Sequence, residues 1–141
     1  MYPRGTNFLE GFAMPEESMP SRAQYWIGWV LSAIPALMLF TGAFTALSGA
    51  EMVKQGMAPF GIPLSMILWV GLCELLCSVL YLIPRTAPIG AILMTAYMGG
   101  AVMTHARVGD PMWVVPVVFG FLVWAGLLLR RPALRKVMLG C

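Results

Sequence analysis

The chain has 141 residues, of which 60% are hydrophobic and only 11% charged, with a net charge of +3. So little polar surface excludes a water-soluble domain, and four apolar blocks of helix-spanning length place the chain in the membrane class. The positive balance does not point to nucleic acid, because Arg130, Arg131, Arg135 and Lys136 all follow the last block. They read as a topology signal facing anionic lipid head groups.

Residues 1–24 read as a polar cytoplasmic tail with Pro3, Pro15, Pro20 and the pair Glu16-Glu17. They show no basic region leading into an apolar run and a small-residue cleavage site, so the first span is expected to act as the insertion signal. Phe8, Leu9 and Phe12 either lay a short turn on the membrane surface or belong to a mobile tail. The membrane domain follows over residues 25–130, with spans near residues 25–47, 62–83, 87–105 and 112–129. At 1.5 Å rise per residue, ~20 residues cross a hydrocarbon core of ~30 Å.

The first span opens on Tyr25, Trp26 and Trp29, aromatic anchors for one interface. Pro35, near its middle, removes the hydrogen bond to the Leu31 carbonyl. Ser32, Ala33, Ala36, Gly42, Ala43 and Ala46 are small enough to admit a neighbouring helix. Span two begins near Pro63 and ends at Ile83-Pro84. The turn through Arg85 is so short that spans two and three must pack as an antiparallel hairpin. Gly99-Gly100 in span three allows a bend or close packing, and Gly109-Asp110-Pro111 makes the next turn. Trp113 anchors span four, Arg130-Arg131 stop it, and residues 131–141 form a basic tail. One side would carry Arg4, Arg22, Arg85 and the four basic residues after span four; the other would carry only Lys54 and Arg107. Seven against two places both termini in the cytoplasm. The expected fold is therefore an all-α integral membrane four-helix bundle.

Glu74 is the only charged residue well inside any span, and such a carboxylate is expensive, at least ~2.5–3.5 kcal/mol on insertion scales. Gly71, Glu74, Ser78 and Tyr81 share an arc of roughly 80° on one helix, a stripe expected to face the bundle interior. Helix rise places Glu74, Tyr97 of span three and the Leu31 carbonyl freed by Pro35 at similar depth. No Lys or Arg lies at that level, so Glu74 is expected to be neutral and to donate a hydrogen bond. Two readings stay open for it: an interhelical clamp, or a group that handles protons or a ligand. His105, the only histidine, ends span three and either caps its last turn or flanks a path towards Glu74. Cys73 and Cys77 lie four apart on one helix and read as free thiols, as does Cys141. A metal site is not expected: it would need two or more further soft ligands at their depth, and Met38, Met94 and Met98, the ones available, read as packing residues. No phosphate loop, CxxC pair, haem histidine pair or Ser-His-Asp arrangement occurs.

These residues resemble the DoxX-like family of small bacterial membrane proteins, related to the DoxX and DoxD quinol-oxidase subunits. The matching pieces are Gly71 to Leu76, the turn Leu82-Ile83-Pro84-Arg85, Gly90, and Thr104-His105-Ala106-Arg107-Val108-Gly109-Asp110-Pro111. The likeness spans roughly residues 27 to 130 and does not include Cys73 or Cys77 in its pattern. It implies four membrane helices in the bacterial inner membrane and a link to membrane redox work near quinone. In that reading Glu74 and His105 handle protons, while Ser78, Tyr81, Tyr97 and the Leu31 carbonyl orient a quinone-like or lipidic ligand. Expected partners are membrane lipids, other membrane oxidoreductase subunits or a second copy of the chain. A proton-coupled exporter and a non-catalytic assembly factor are the alternatives.

Overall fold

The computed structural model describes residues 20–140, so the readings made for Phe8, Leu9, Phe12, Arg4 and Cys141 fall outside the described residues. Within them the chain forms α1 Arg22–Leu47, α2 Glu51–Met57, α3 Leu64–Leu82, α4 Ala87–Arg107, α5 Val114–Arg130 and α6 Pro132–Leu139. Single 3-10 turns follow α2 at Ala58–Phe60 and precede α5 at Pro111–Trp113. Helices α1, α3 and α4 and the segment Pro111–Arg130 are each long and apolar enough to cross a membrane. The all-α four-span bundle expected from the sequence is the fold.

Local chemistry sets the helix ends. Helix α1 starts at Arg22, ahead of the uncharged run, because Ser21 and Gln24 form a capping box with both bonds at 3.2 Å. It runs unbroken through Pro35 and stops at Ser48-Gly49, where Gly49 takes a φ of 69°. Helix α3 ends where Ile83 turns extended ahead of Pro84, a residue that disfavours the helical conformation before it. Helix α4 restarts with Pro88 in its first turn. The segment read as a loop between spans one and two folds into α2 and its 3-10 turn, with Glu51 and Lys54 paired at 2.9 Å. The basic tail likewise becomes helical as α6, started by Pro132.

The four spans form a ring in which α1 and α4 each pack against both α3 and α5. One end of the ring bears the 83–86 turn, Arg22 and Arg130 and is called the basic end; the other bears the 48–63 and 108–113 connections and is called the loop end. At most a third of each span's apolar stretch is buried. Side chains such as Phe44, Trp69 and Phe121 stand outward, exposed by 70%, 61% and 74%. Lipid is the medium that would cover them.

Small residues decide how near the helices come. Ser32, Ala36, Ala43 and Ala46 are all buried on α1. A Cβ on Gly126 would lie 2.8 Å from the Ser32 nitrogen, and one on Gly28 would lie 2.9 Å from the Arg130 nitrogen, so α1 and α5 meet backbone to backbone. Gly90 of α4 presses directly on the Tyr81 backbone of α3. Gly99 and Gly100 do not make the close contact that their size allows. Helix α4 stays helical through both, and a Cβ on either would meet nothing within 4 Å.

The basic end holds a buried polar cluster. The Tyr81 hydroxyl is 2.7 Å from the Val123 carbonyl and 2.9 Å from Ser32 Oγ. A phenol has one proton and a carbonyl only accepts, so Tyr81 donates to Val123 and takes its second bond from the Ser32 hydroxyl. Arg130 is only 7% exposed and stacks between Trp29 and Tyr81, with Cζ 4.5 Å and 4.7 Å from the two ring centroids. Its guanidinium donates to the Tyr81 carbonyl at 2.9 Å. That carbonyl is in the last turn of α3, where helical donors run out. Thr86 Oγ1 covers the neighbouring Leu80 carbonyl at 2.7 Å. Arg130 thus caps α3 from α5.

Candidate functional site

Glu74 sits mid-span on α3, half-buried, with its carboxyl laid against α1 where Gly42 leaves room. A Cβ at Gly42 would come within 2.7 Å of Glu74 Oε2. The Tyr97 hydroxyl of α4 donates to Glu74 Oε1. The lone spanning carboxylate is therefore tied to two other helices, by a bond to α4 and by a glycine notch in α1. Glu74 also lines a cavity of about 190 Å³. Met38, Met98, Met112 and Pro116 wall it, with Tyr97 beside Glu74 and His105 two turns further towards the loop end.

His105 lies two turns beyond Tyr97 on α4, about 12 Å of helix rise. Its Nδ1 is 2.8 Å from Asp110 Oδ2. An ionised carboxylate only accepts, so Nδ1 carries the proton and Nε2 is left as the free ring nitrogen. Asp110 Oδ1 also accepts from the Met112 nitrogen at 3.0 Å. These two bonds, the Met112 one first, hold the Asp110 carboxyl below its ordinary range. It is therefore an anion throughout the neutral range and fixes the histidine tautomer. The Phe60 ring meets His105 edge-on at 4.7 Å between centroids. Arg107 donates to the Phe60 carbonyl, which ties the 48–63 connection down over the end of α4.

The structure brings Glu74, Tyr97 and His105 to one cavity, and leaves the other residues singled out in the sequence elsewhere. Ser78 is buried and returns its hydroxyl to the Glu74 carbonyl at 2.8 Å. Tyr81 is engaged with Ser32 and Val123 at the basic end. Leu31 is half-buried on α1 and is not among the cavity walls. Cys77 is buried and Cys73 exposed, both as free thiols.

The sequence profile of the DoxX-like family matches residues 30–126. The chain belongs to the DoxX-like family. No curated protein and no solved structure matches it. The match takes in parts of all four spans, so this DoxX-like chain is a multi-pass membrane protein. Glu74, Tyr97, His105 and Asp110 all lie inside the matched stretch.

Two site residues of this DoxX-like protein escaped the sequence reading. In the sequence Gly42 is one small packing residue among several, yet it faces the carboxyl group itself. Phe60 was not singled out, and its signal was faint: an aromatic residue in a short Gly/Pro-flanked connection, at the depth of the span-three histidine.

Proposed function

We propose that this protein is a small subunit of bacterial membrane redox metabolism that holds the headgroup of a quinone-like or lipidic molecule between Glu74 and His105. One observation carries the reading: two hydrogen-bonding groups on different helices share a cavity whose other walls are mostly apolar. The volume, about 190 Å³, is under the ~300–1,000 Å³ of sites that engulf a drug-sized ligand, so it suits a ring-sized headgroup. With the Tyr97 proton spent on Oε1, a neutral Glu74 carboxyl supplies the donor for a ring oxygen at the inner end, and His105 Nε2, left without a proton, supplies an acceptor for a ring hydroxyl or a water further along. A bound quinone would supply the redox chemistry. The protein's own share is to exchange a proton at the Glu74 carboxyl, hold that carboxyl in place with the Tyr97 hydroxyl and pass protons through His105.

The test is binding of a fully substituted benzoquinone, which cannot add to the Cys73 thiol, to purified protein in detergent by titration calorimetry. Glu74→Gln keeps size and one hydrogen-bond pattern, so it should fold with an unchanged melting curve. Its binding should weaken about tenfold, equivalent to ~1.4 kcal/mol, with Glu74→Asp keeping part of it. A Gln variant that binds like the parent would leave Glu74 as a helix clamp and end this reading.

The orientation belongs to the same proposal: the basic end faces the cytoplasm and the loop end faces outward, in the bacterial inner membrane. Arg22, Arg85, Arg130, Arg131, Arg135 and Lys136 gather at the basic end, against Lys54 and Arg107 at the loop end. Impermeant thiol labelling of intact cells should modify a cysteine placed at Gln55 and spare one placed at Thr86. The reverse pattern would put the His105 end in the cytoplasm.

A further inference from the structure

A second cavity of about 340 Å³ lies against the first and is not used by the reading above. Met57, Phe60, Ile62 and Val70 wall it from the 48–63 connection and α3, and Gly100 and Thr104 from α4. Both cavities share the same three residues of α4, Tyr97, Ala101 and His105. These are one turn apart, so they form a single ridge along the helix. Its two ends are rings and its middle carries only the methyl of Ala101. Ala101 is thus the low point of the ridge that both spaces share.

Their linings differ in kind. The inner space has the Glu74 carboxyl and the Tyr97 hydroxyl at its end. The outer one is apolar beyond the ridge, and its one hydroxyl is spent, since Thr104 Oγ1 bonds back to the Gly100 carbonyl at 2.8 Å. Phe60 lines the outer space with its ring on His105, held there through its carbonyl by Arg107.

From this we infer that the two cavities are one bipartite site for a headgroup-and-chain amphiphile: the headgroup sits by Glu74, and the chain crosses the Ala101 notch into the Phe60 chamber. The inference rests on the ligand reading of Glu74 and deepens it by giving the ligand's apolar chain its own place in the protein. It also makes Ala101 and Gly100 determinants of specificity that touch no polar part of the ligand.

Gly100 gives the means of testing it. It lines the outer chamber alone, and a side chain there meets no backbone, so Gly100→Leu fills that chamber without disturbing the bundle. Two probes with the same fully substituted benzoquinone ring are titrated, one without a chain and one with a decyl chain. In Gly100→Leu the decyl probe should bind about tenfold more weakly than to the parent, while the ring-only probe stays within about twofold. Thr104→Leu, one turn along the same wall, should repeat the pattern. Equal effects on both probes, or no effect on either, would overturn the bipartite site while leaving ring binding at Glu74 intact. Failure of the parent to bind either probe would instead bring down the headgroup reading, and this inference with it.

Discussion

Gly90→Ala is expected to lower the stability of the folded bundle by about 3 kcal/mol or more, among the largest effects of any single methyl in this chain. The added Cβ would overlap the Tyr81 nitrogen and stand 2.5 Å from its Cα and 2.7 Å from the Leu80 carbonyl carbon. All three are backbone atoms of α3, so no side chain can swing aside to relieve the clash. The hairpin cannot open freely either, because its turn, 83–86, lies only a few residues away and pins the two helices together. The strain must then move α3, and with it Tyr81 and the Arg130 stack. Detergent-unfolding curves followed by far-ultraviolet circular dichroism would measure the loss. Gly99→Ala and Gly100→Ala are the controls. With nothing within 4 Å of either, they should be neutral or stabilising by up to ~1 kcal/mol, the helix-propensity gain of alanine over glycine. A Gly90 variant as stable as these would show that the hairpin yields far more easily than backbone contact allows.

That pair of outcomes also marks what a sequence can and cannot disclose. The spans were legible because length and apolarity are properties of a segment by itself. The α3–α4 hairpin was legible because a turn as short as Pro84-Arg85-Thr86 leaves no other arrangement. Which glycine touches a neighbour is a relation between helices, and nothing in Gly99-Gly100 distinguishes it from Gly90 until the helices are placed. The same holds within the polar stripe of α3. Gly71, Ser78 and Tyr81 are buried as their shared arc requires, but the arc does not say against what. Tyr81 keeps nearly the direction of Glu74 but lies about 10 Å of helix rise nearer the basic end, where it meets α5 and α1, and it is the depth match between Glu74 and Tyr97 that the structure turns into a hydrogen bond. His105 and Asp110 are five residues apart, so their contact is local in the chain. Phe60 reaches His105 from 45 positions away in the chain and had no local signature.

Arg130 was read as a stop signal like Arg131, and the structure separates the two. Arg130→Met keeps an aliphatic stem of similar length but removes the donor to the Tyr81 carbonyl and the cation between the Trp29 and Tyr81 rings. A hydrogen bond from a charged group is worth ~1.5–3 kcal/mol, and cation–π contacts away from water add ~0.5–2 each. Against this stands the buried Nε of Arg130, which has no partner among the described residues and whose desolvation offsets part of the gain. The expected net loss is about 2–3 kcal/mol in the same unfolding assay. Arg130→Lys should fall between, because an ammonium restores the charge at the C-terminal end of α3 but not a planar group that stacks on two rings. Arg131→Met, half-exposed and outside the cluster, should stay within about 0.5 kcal/mol. If Arg130→Met proves as stable as the parent, the unpaired Nε outweighs the cap, and the guanidinium is held in place by its helix rather than holding α3.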